Sequence, residues 1–148
     1  MSSQAAIFSG FRPKITKSAS RQSTEICFWD ADSWLTDVLQ NLRDLERLTT
    51  NWDSYGSAPP QLQALQAARQ FLASVPTTRL PAPSVSAIAG GGVGFHWKVG
   101  GKDLEIEFLP DGNKEFLRTT NDDESSIVEG PLDTPEDQKR IWNWLSGK

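Results

Sequence analysis

Two amphipathic helical stretches, a run of alternating strands broken by paired glycines, and a capped helix near residue 140 define an α+β domain. The expected arrangement is two-layered. An N-terminal helical hairpin packs on a roughly four-stranded antiparallel β-meander, and a C-terminal helix completes it.

The first helix is expected over residues 33–49. Trp34, Leu35, Val38, Leu39, Leu42, Leu45 and Leu48 follow one another along a single helical stripe, while Asp37, Asn41, Arg43, Asp44, Glu46 and Arg47 occupy the other face. Asp32 or Ser33 supplies an N-cap. Upstream, Glu25 to Trp29 reads as a short strand of β-favouring residues. The second helix is expected from Pro60, whose missing N–H costs nothing in a first turn, to about Val75, with Pro76 as its stop. Its inward positions are Leu62, Leu65, Ala68, Phe71, Leu72 and Val75.

After the stiff Leu80-Pro81-Ala82-Pro83 the period changes to two. Residues 84–89 form a strand and Gly90-Gly91-Gly92 turns the chain. Val93, Phe95, Trp97 and Val99 then alternate with Gly94, His96 and Lys98. Gly100-Gly101 is a two-residue hairpin signal, and the alternation resumes through Leu104, Ile106 and Phe108. That turn pairs Trp97 with Leu104 and Phe95 with Ile106 on an apolar face. On the other face it pairs Lys98 with Asp103 and His96 with Glu105. Pro110-Asp111-Gly112 makes the next turn, leading to a strand near Lys114–Thr119. Asn121 to Ser126 is expected as an acidic loop, with Ile127-Val128 a short edge strand. Thr134-Pro135-Glu136-Asp137 combines an N-cap, a proline at the first helical position and two acids suited to the helix dipole. The helix it opens bears Ile141, Trp142, Trp144 and Leu145 and closes at Gly147.

A chain of 148 residues is one domain long and able to bury its own core. Residues 1–24, rich in serine and bearing Arg12, Lys14, Lys17 and Arg21, read as a flexible basic tail on a single domain of residues 25–148. The one cysteine, Cys27, leaves no internal disulfide and no Cys-rich zinc site, which fits the cytoplasm. No leader pattern or membrane-length apolar run is present. The net charge of −4 argues against binding nucleic acid except through the basic tail.

Catalytic chemistry finds little support. His96 is the sole histidine and is expected on the solvent face beside Glu105, an ordinary cross-strand ion pair. Cys27 lies among aromatics, where a thiol is inert. Asp122, Asp123 and Glu124 are neighbours in a solvated loop rather than a metal cage, and no cofactor motif occurs; the glycine runs join strands instead of opening a helix.

The most distinctive stretch is Asn51-Trp52-Asp53-Ser54-Tyr55-Gly56-Ser57-Ala58-Pro59-Pro60. Trp52 and Tyr55 either plug one end of the helix pair or form an exposed aromatic–acid recognition patch. With Leu45 and Leu48 before it, Ala67-Ala68 and Phe71-Leu72 after it, and then Gly92-Val93-Gly94-Phe95-His96-Trp97, this stretch resembles a family of small bacterial and phage-associated proteins. Their mark is a W-D-G-Y-G-A-x-P type segment ahead of a β-meander; Ser54 and Ser57 stand here for the glycine and the alanine. The resemblance spans about residues 40–118. It implies a prokaryotic or phage origin and a similar core, and it transfers no catalytic residue.

The expected function is a non-enzymatic protein-interaction module: antitoxin-like, an immunity protein or an accessory subunit. Another protein is the expected partner, met through Trp52, Asp53, Tyr55, Trp29, Phe8 and Phe11. The alternative is a small hydrolase or nuclease using carboxylates or His96.

Overall fold

The structure, a computed structural model, describes residues 23–76 and 80–147, with side chains from Trp34 onward. Residues 1–22, which hold Phe8 and Phe11 and most of the expected basic tail, lie outside the described residues, as do the side chains of Cys27 and Trp29. The fold is α+β, as expected, but its sheet has five strands rather than four.

Helix α1 spans Ser23–Leu45. It therefore runs straight through Glu25–Trp29, where a strand was expected, and past the anticipated caps at Asp32 and Ser33. A five-residue β preference is weak, and here it yields to a helix that continues into a strongly periodic stripe. Val38, Leu42 and Leu45 are buried, with Leu35 and Leu39 packed beside them.

Helix α2 spans Leu62–Phe71 and tightens into a 3-10 turn at Leu72–Ser74, so it starts two residues later than Pro60 and ends in a different geometry. Its start is tied to the sheet by the Gln61 N–H, which donates to the Gly91 carbonyl at 2.9 Å. Ala64, Leu65, Ala68 and Phe71 face the core, whereas Leu62, expected inward, is 64% exposed. The two helices do not form a tight hairpin. Each meets the sheet more than it meets the other, α1 over the first strand and α2 over the next two; an Arg69–Glu46 ion pair links them at the surface.

The sheet is a pure antiparallel meander: β1 Ser84–Ile88, β2 Gly92–Val99, β3 Lys102–Phe108, β4 Lys114–Thr120 and β5 Asp123–Pro131, in that spatial order. The expected β2–β3 register holds at all four positions: Trp97 opposes Leu104, Phe95 opposes Ile106, Lys98 opposes Asp103 and His96 opposes Glu105. Gly100 and Gly101 have φ of 55° and 84°, the left-handed pair that a tight hairpin turn matching strand twist requires. The stretch expected as an acidic loop is instead a two-residue turn at Asn121-Asp122, with φ of 53° and 57°, and β5 is correspondingly long. Within β5 the register slips, from Arg118 opposite Val128 to Thr120 opposite Asp123. The Ser126 hydroxyl fills the gap, accepting the Thr120 N–H at 2.9 Å and donating to the Asp123 carbonyl at 2.6 Å.

Helix α3, Pro135–Ser146, closes the core. Thr134 and Asp137 form the expected reciprocal cap, and Gly147 ends the helix at φ 84°. Trp142 stacks edgewise on Trp97 at 5.3 Å and tilts against Phe71 at 5.5 Å, while Phe95 and Phe108 meet at 5.0 Å. The helices thus cover one face of the sheet with an aromatic core. Among the described residues no helix covers the other face.

Candidate functional site

The segment between α1 and α2 is a self-bonded loop, and its organising group is Asp53. This side chain is 8% exposed although it lies in a surface loop. Its carboxylate accepts the Ser57 hydroxyl at 2.6 Å, the Tyr55 N–H at 2.9 Å and the Ser57 N–H at 3.3 Å. The Ser57 hydroxyl bond holds the carboxyl below its usual pKa; burial opposes this, and the backbone bonds from Tyr55 and Ser57 reinforce it. Asn51 completes the closure. Its side-chain oxygen accepts the Gly56 N–H at 2.7 Å and its own N–H donates to the Ser57 carbonyl at 2.8 Å. Asn51, Ser54 and Gly56 all take positive φ, at 71°, 67° and 81°. Asn and Gly are the residues that tolerate that region best; Ser54 is strained there.

The two aromatics of the loop have opposite fates. Trp52 packs against the core edge and its indole N–H donates to the Ala58 carbonyl at 2.9 Å. Tyr55 is 76% exposed. Trp52 thus packs inward as a plug, Tyr55 projects into solvent, and the Asp53 carboxylate is spent on bonds within the loop. Of the expected partner-facing residues, the structure joins Trp52, Asp53 and Tyr55 in one unit.

On the open face of the sheet lies a groove of about 300 Å³. Gly94 gives it a bare floor over which Ile88 leans; a Cβ at Gly94 would come within 2.9 Å of the Ile88 Cδ1. Leu117 is the other apolar wall, and Glu105, Glu107, Glu115 and Glu129 supply the charge. Strand register makes this inevitable: Glu107 is directly opposite Glu115, and Leu117 lies between Glu105 and Glu129. Burial pushes the Glu107 carboxyl above its usual pKa, and Glu115 and Glu105 push it further. The sequence showed Glu105 and Glu107 on one strand face; the contributions of Glu115 and Glu129 follow only from the β3–β4–β5 register.

His96 borders this groove, but its bond is not to the expected Glu105. The ring Nε2 lies 2.9 Å from Asp103 Oδ1, diagonally across the ladder, and Lys98 Nζ approaches the same carboxylate at 3.3 Å. Burial alone would raise the Asp103 pKa, but the bonds from His96 and Lys98 outweigh it and hold the carboxyl below its usual value. Asp123 is likewise spent locally, accepting from the Ser125 N–H and hydroxyl at 2.9 and 2.8 Å. Among the described residues no group of three or more His, Cys, Asp or Glu side chains is arranged to hold a metal ion. No helix among them is long and apolar enough to cross a membrane. The chain matches no protein-family profile, no curated protein and no solved structure.

Proposed function

We propose that the protein is a non-enzymatic interaction module whose recognition element is the Asn51–Ala58 loop. The observation that carries this reading is the contrast within the loop: its backbone is fixed by Asp53 and Asn51, yet Tyr55 projects with 76% of its surface exposed. A lone flexible aromatic gains little on binding, because ordering it costs free energy. An aromatic carried on a fixed backbone avoids the backbone part of that cost, and tyrosine is enriched among residues that dominate interface energies. A cytoplasmic antitoxin-like, immunity or accessory subunit of a bacterial or phage system is the class this reading favours. The resemblance of the loop segment to the W-D-G-Y-G-A-x-P pattern supports that origin.

Photocrosslinking tests it. With a photoreactive phenylalanine at position 55, a discrete protein adduct is expected in cells expressing the chain, and the same protein should be retained by wild type and lost by Tyr55→Ala. Equal retention by both, with no adduct, would remove the loop from consideration.

A second reading, hydrolysis at His96, has one observation in its favour. An imidazole 2.9 Å from Asp103 resembles an oriented general base, and Ser84 opposes His96 across β1 and β2. No hydrogen bond joins Ser84 to His96 among the described residues, and Lys98 shares the carboxylate as in an ordinary surface ladder. Hydrolysis of generic esters or phosphodiesters that vanishes in His96→Ala would restore this reading.

A further inference from the structure

We propose that the open face of the sheet is the docking surface for the basic segment preceding α1, residues 1–22 of the same chain. The face is a shaped surface before it is a charged one. Gly94 leaves a bare floor, Ile88 and Leu117 wall it, and the cavity is about 300 Å³. Among the described residues no helix covers it: the described buried side chains of α1, α2 and α3 lie on the opposite face.

Charge then selects the occupant. Among the described residues, Glu105, Glu107, Glu115 and Glu129 make no ion pair with any Lys or Arg, whereas Asp103 on β3 pairs with Lys98. Glu107 and Glu115 face each other directly, an arrangement that destabilises a sheet by itself. A cation seated between them would convert that repulsion into attraction. Residues 1–22 hold Arg12, Lys14, Lys17 and Arg21 and no Asp or Glu. Their aliphatic stems suit a groove whose walls are Ile88 and Leu117, since long basic side chains lay their methylenes along apolar surface while the head stays polar.

Reach and path agree with this occupant. Helix α1 packs over β1, the edge strand whose Ser86 and Ile88 border the groove. A sheet of five strands is about 24 Å wide at the usual strand spacing. An extended segment of 22 residues can span up to roughly 70 Å, enough to round the β1 edge and cross the face.

The test uses the full-length chain and a zero-length carbodiimide, which joins a lysine amine to a carboxylate only when the two are in contact. Lys14 or Lys17 should be joined to Glu105, Glu107, Glu115 or Glu129 within one chain, with a yield that falls severalfold in 1 M salt as the screening length shrinks to ~3 Å. Mixing isotopically heavy and light protein separates intramolecular from intermolecular products. Heavy-to-light links would overturn the proposal in favour of a second copy. Links from Lys14 and Lys17 only to other carboxylates would overturn it outright. A second readout is trypsin cleavage after Lys14 and Lys17. It should be severalfold faster in the Glu105→Gln/Glu107→Gln/Glu115→Gln/Glu129→Gln variant than in wild type at low salt, and equal rates in the two proteins would count against docking. Tyr55→Ala should change neither measurement, so failure here is distinguishable from failure of the loop as a recognition element.

Discussion

The Ser57 hydroxyl donates to the Asp53 carboxylate at 2.6 Å, closing a loop whose ends lie on two different helices. Two further donors, the Tyr55 and Ser57 N–H groups, converge on the same carboxylate. Asp53→Ala should therefore lower the melting temperature at neutral pH more than Asp53→Asn, because the amide keeps an acceptor for the Tyr55 N–H. The Asp53 pKa is lowered on folding below the ordinary 3.8. Its stabilisation is thus complete above that value and is lost as pH falls through the folded-state pKa. Melting curves of wild type and Asp53→Ala should draw together as pH falls from 3.8 through the lowered folded-state pKa; a constant gap across the acid range would show that the carboxylate charge is irrelevant.

Glu107 should behave in the opposite sense. Its pKa is raised above 4.5, so the folded state holds a proton more tightly than the unfolded chain does. Stability then falls as pH rises from about 4.5 through the folded-state value. Glu107→Gln is expected to stabilise the protein at pH 7 by about 0.5 kcal/mol, the scale of a solvent-screened like-charge pair across strands. The gain should vanish below pH 4.5, where the unfolded-state carboxyl also protonates. Chemical denaturation at the two pH values measures the difference.

Ser54 occupies left-handed backbone at φ 67° with its side chain exposed. Ser54→Gly removes the steric cost of that conformation and adds some unfolded-state entropy, for a net gain of about 0.5 kcal/mol. A lower melting temperature in this variant would mean that the Ser54 side chain contributes something its exposure does not suggest.

Tyr55→Ala is expected to leave folding stability within about 0.5 kcal/mol of wild type, as for other exposed positions. It should cost tenfold or more in affinity for any partner that the loop holds, the usual loss at a central aromatic contact. Titration calorimetry with the crosslinked partner, once isolated, gives the number.

Trp97 is fully buried, stacks on Trp142 and Phe95, and donates its indole N–H to the Pro81 carbonyl at 2.9 Å. Trp97→Phe removes that bond and leaves a void where the larger ring system was. A loss of about 2–3 kcal/mol is expected, read as a shift in denaturation midpoint with an unchanged slope.

Much of the sheet was legible because two signals agreed. Gly100-Gly101 fixed a turn length, and the alternation on either side permitted only one register that kept both faces chemically consistent. The cap at Thr134 was equally explicit. Legibility failed where short-range preference met longer-range context. Glu25–Trp29 carries β-favouring residues but lies on α1. The serines and acids of residues 123–126 are poor strand formers, yet Asn121-Asp122 takes the double left-handed geometry of a hairpin turn and draws them into β5. Leu62 fits the apolar stripe of α2, but α2 buries Ala64, Leu65, Ala68 and Phe71 and leaves Leu62, its first residue, outside. For the loop, the aromatics were visible, but nothing local could say that Trp52 has a carbonyl acceptor in Ala58 while Tyr55 points away. The acidic groove needed three strands in register before its four glutamates could be counted together.

The slipped register of β5 has a consequence for life at high concentration. A long edge strand carrying exposed Ile127 and Val128 invites another strand to continue the sheet. The register slip beside Ser126, with Asp123 and Glu124 on one side and Glu129 on the other, interrupts the regular pairing and puts charge along the edge that an incoming strand would meet. These features disfavour growth of the sheet from molecule to molecule at this border.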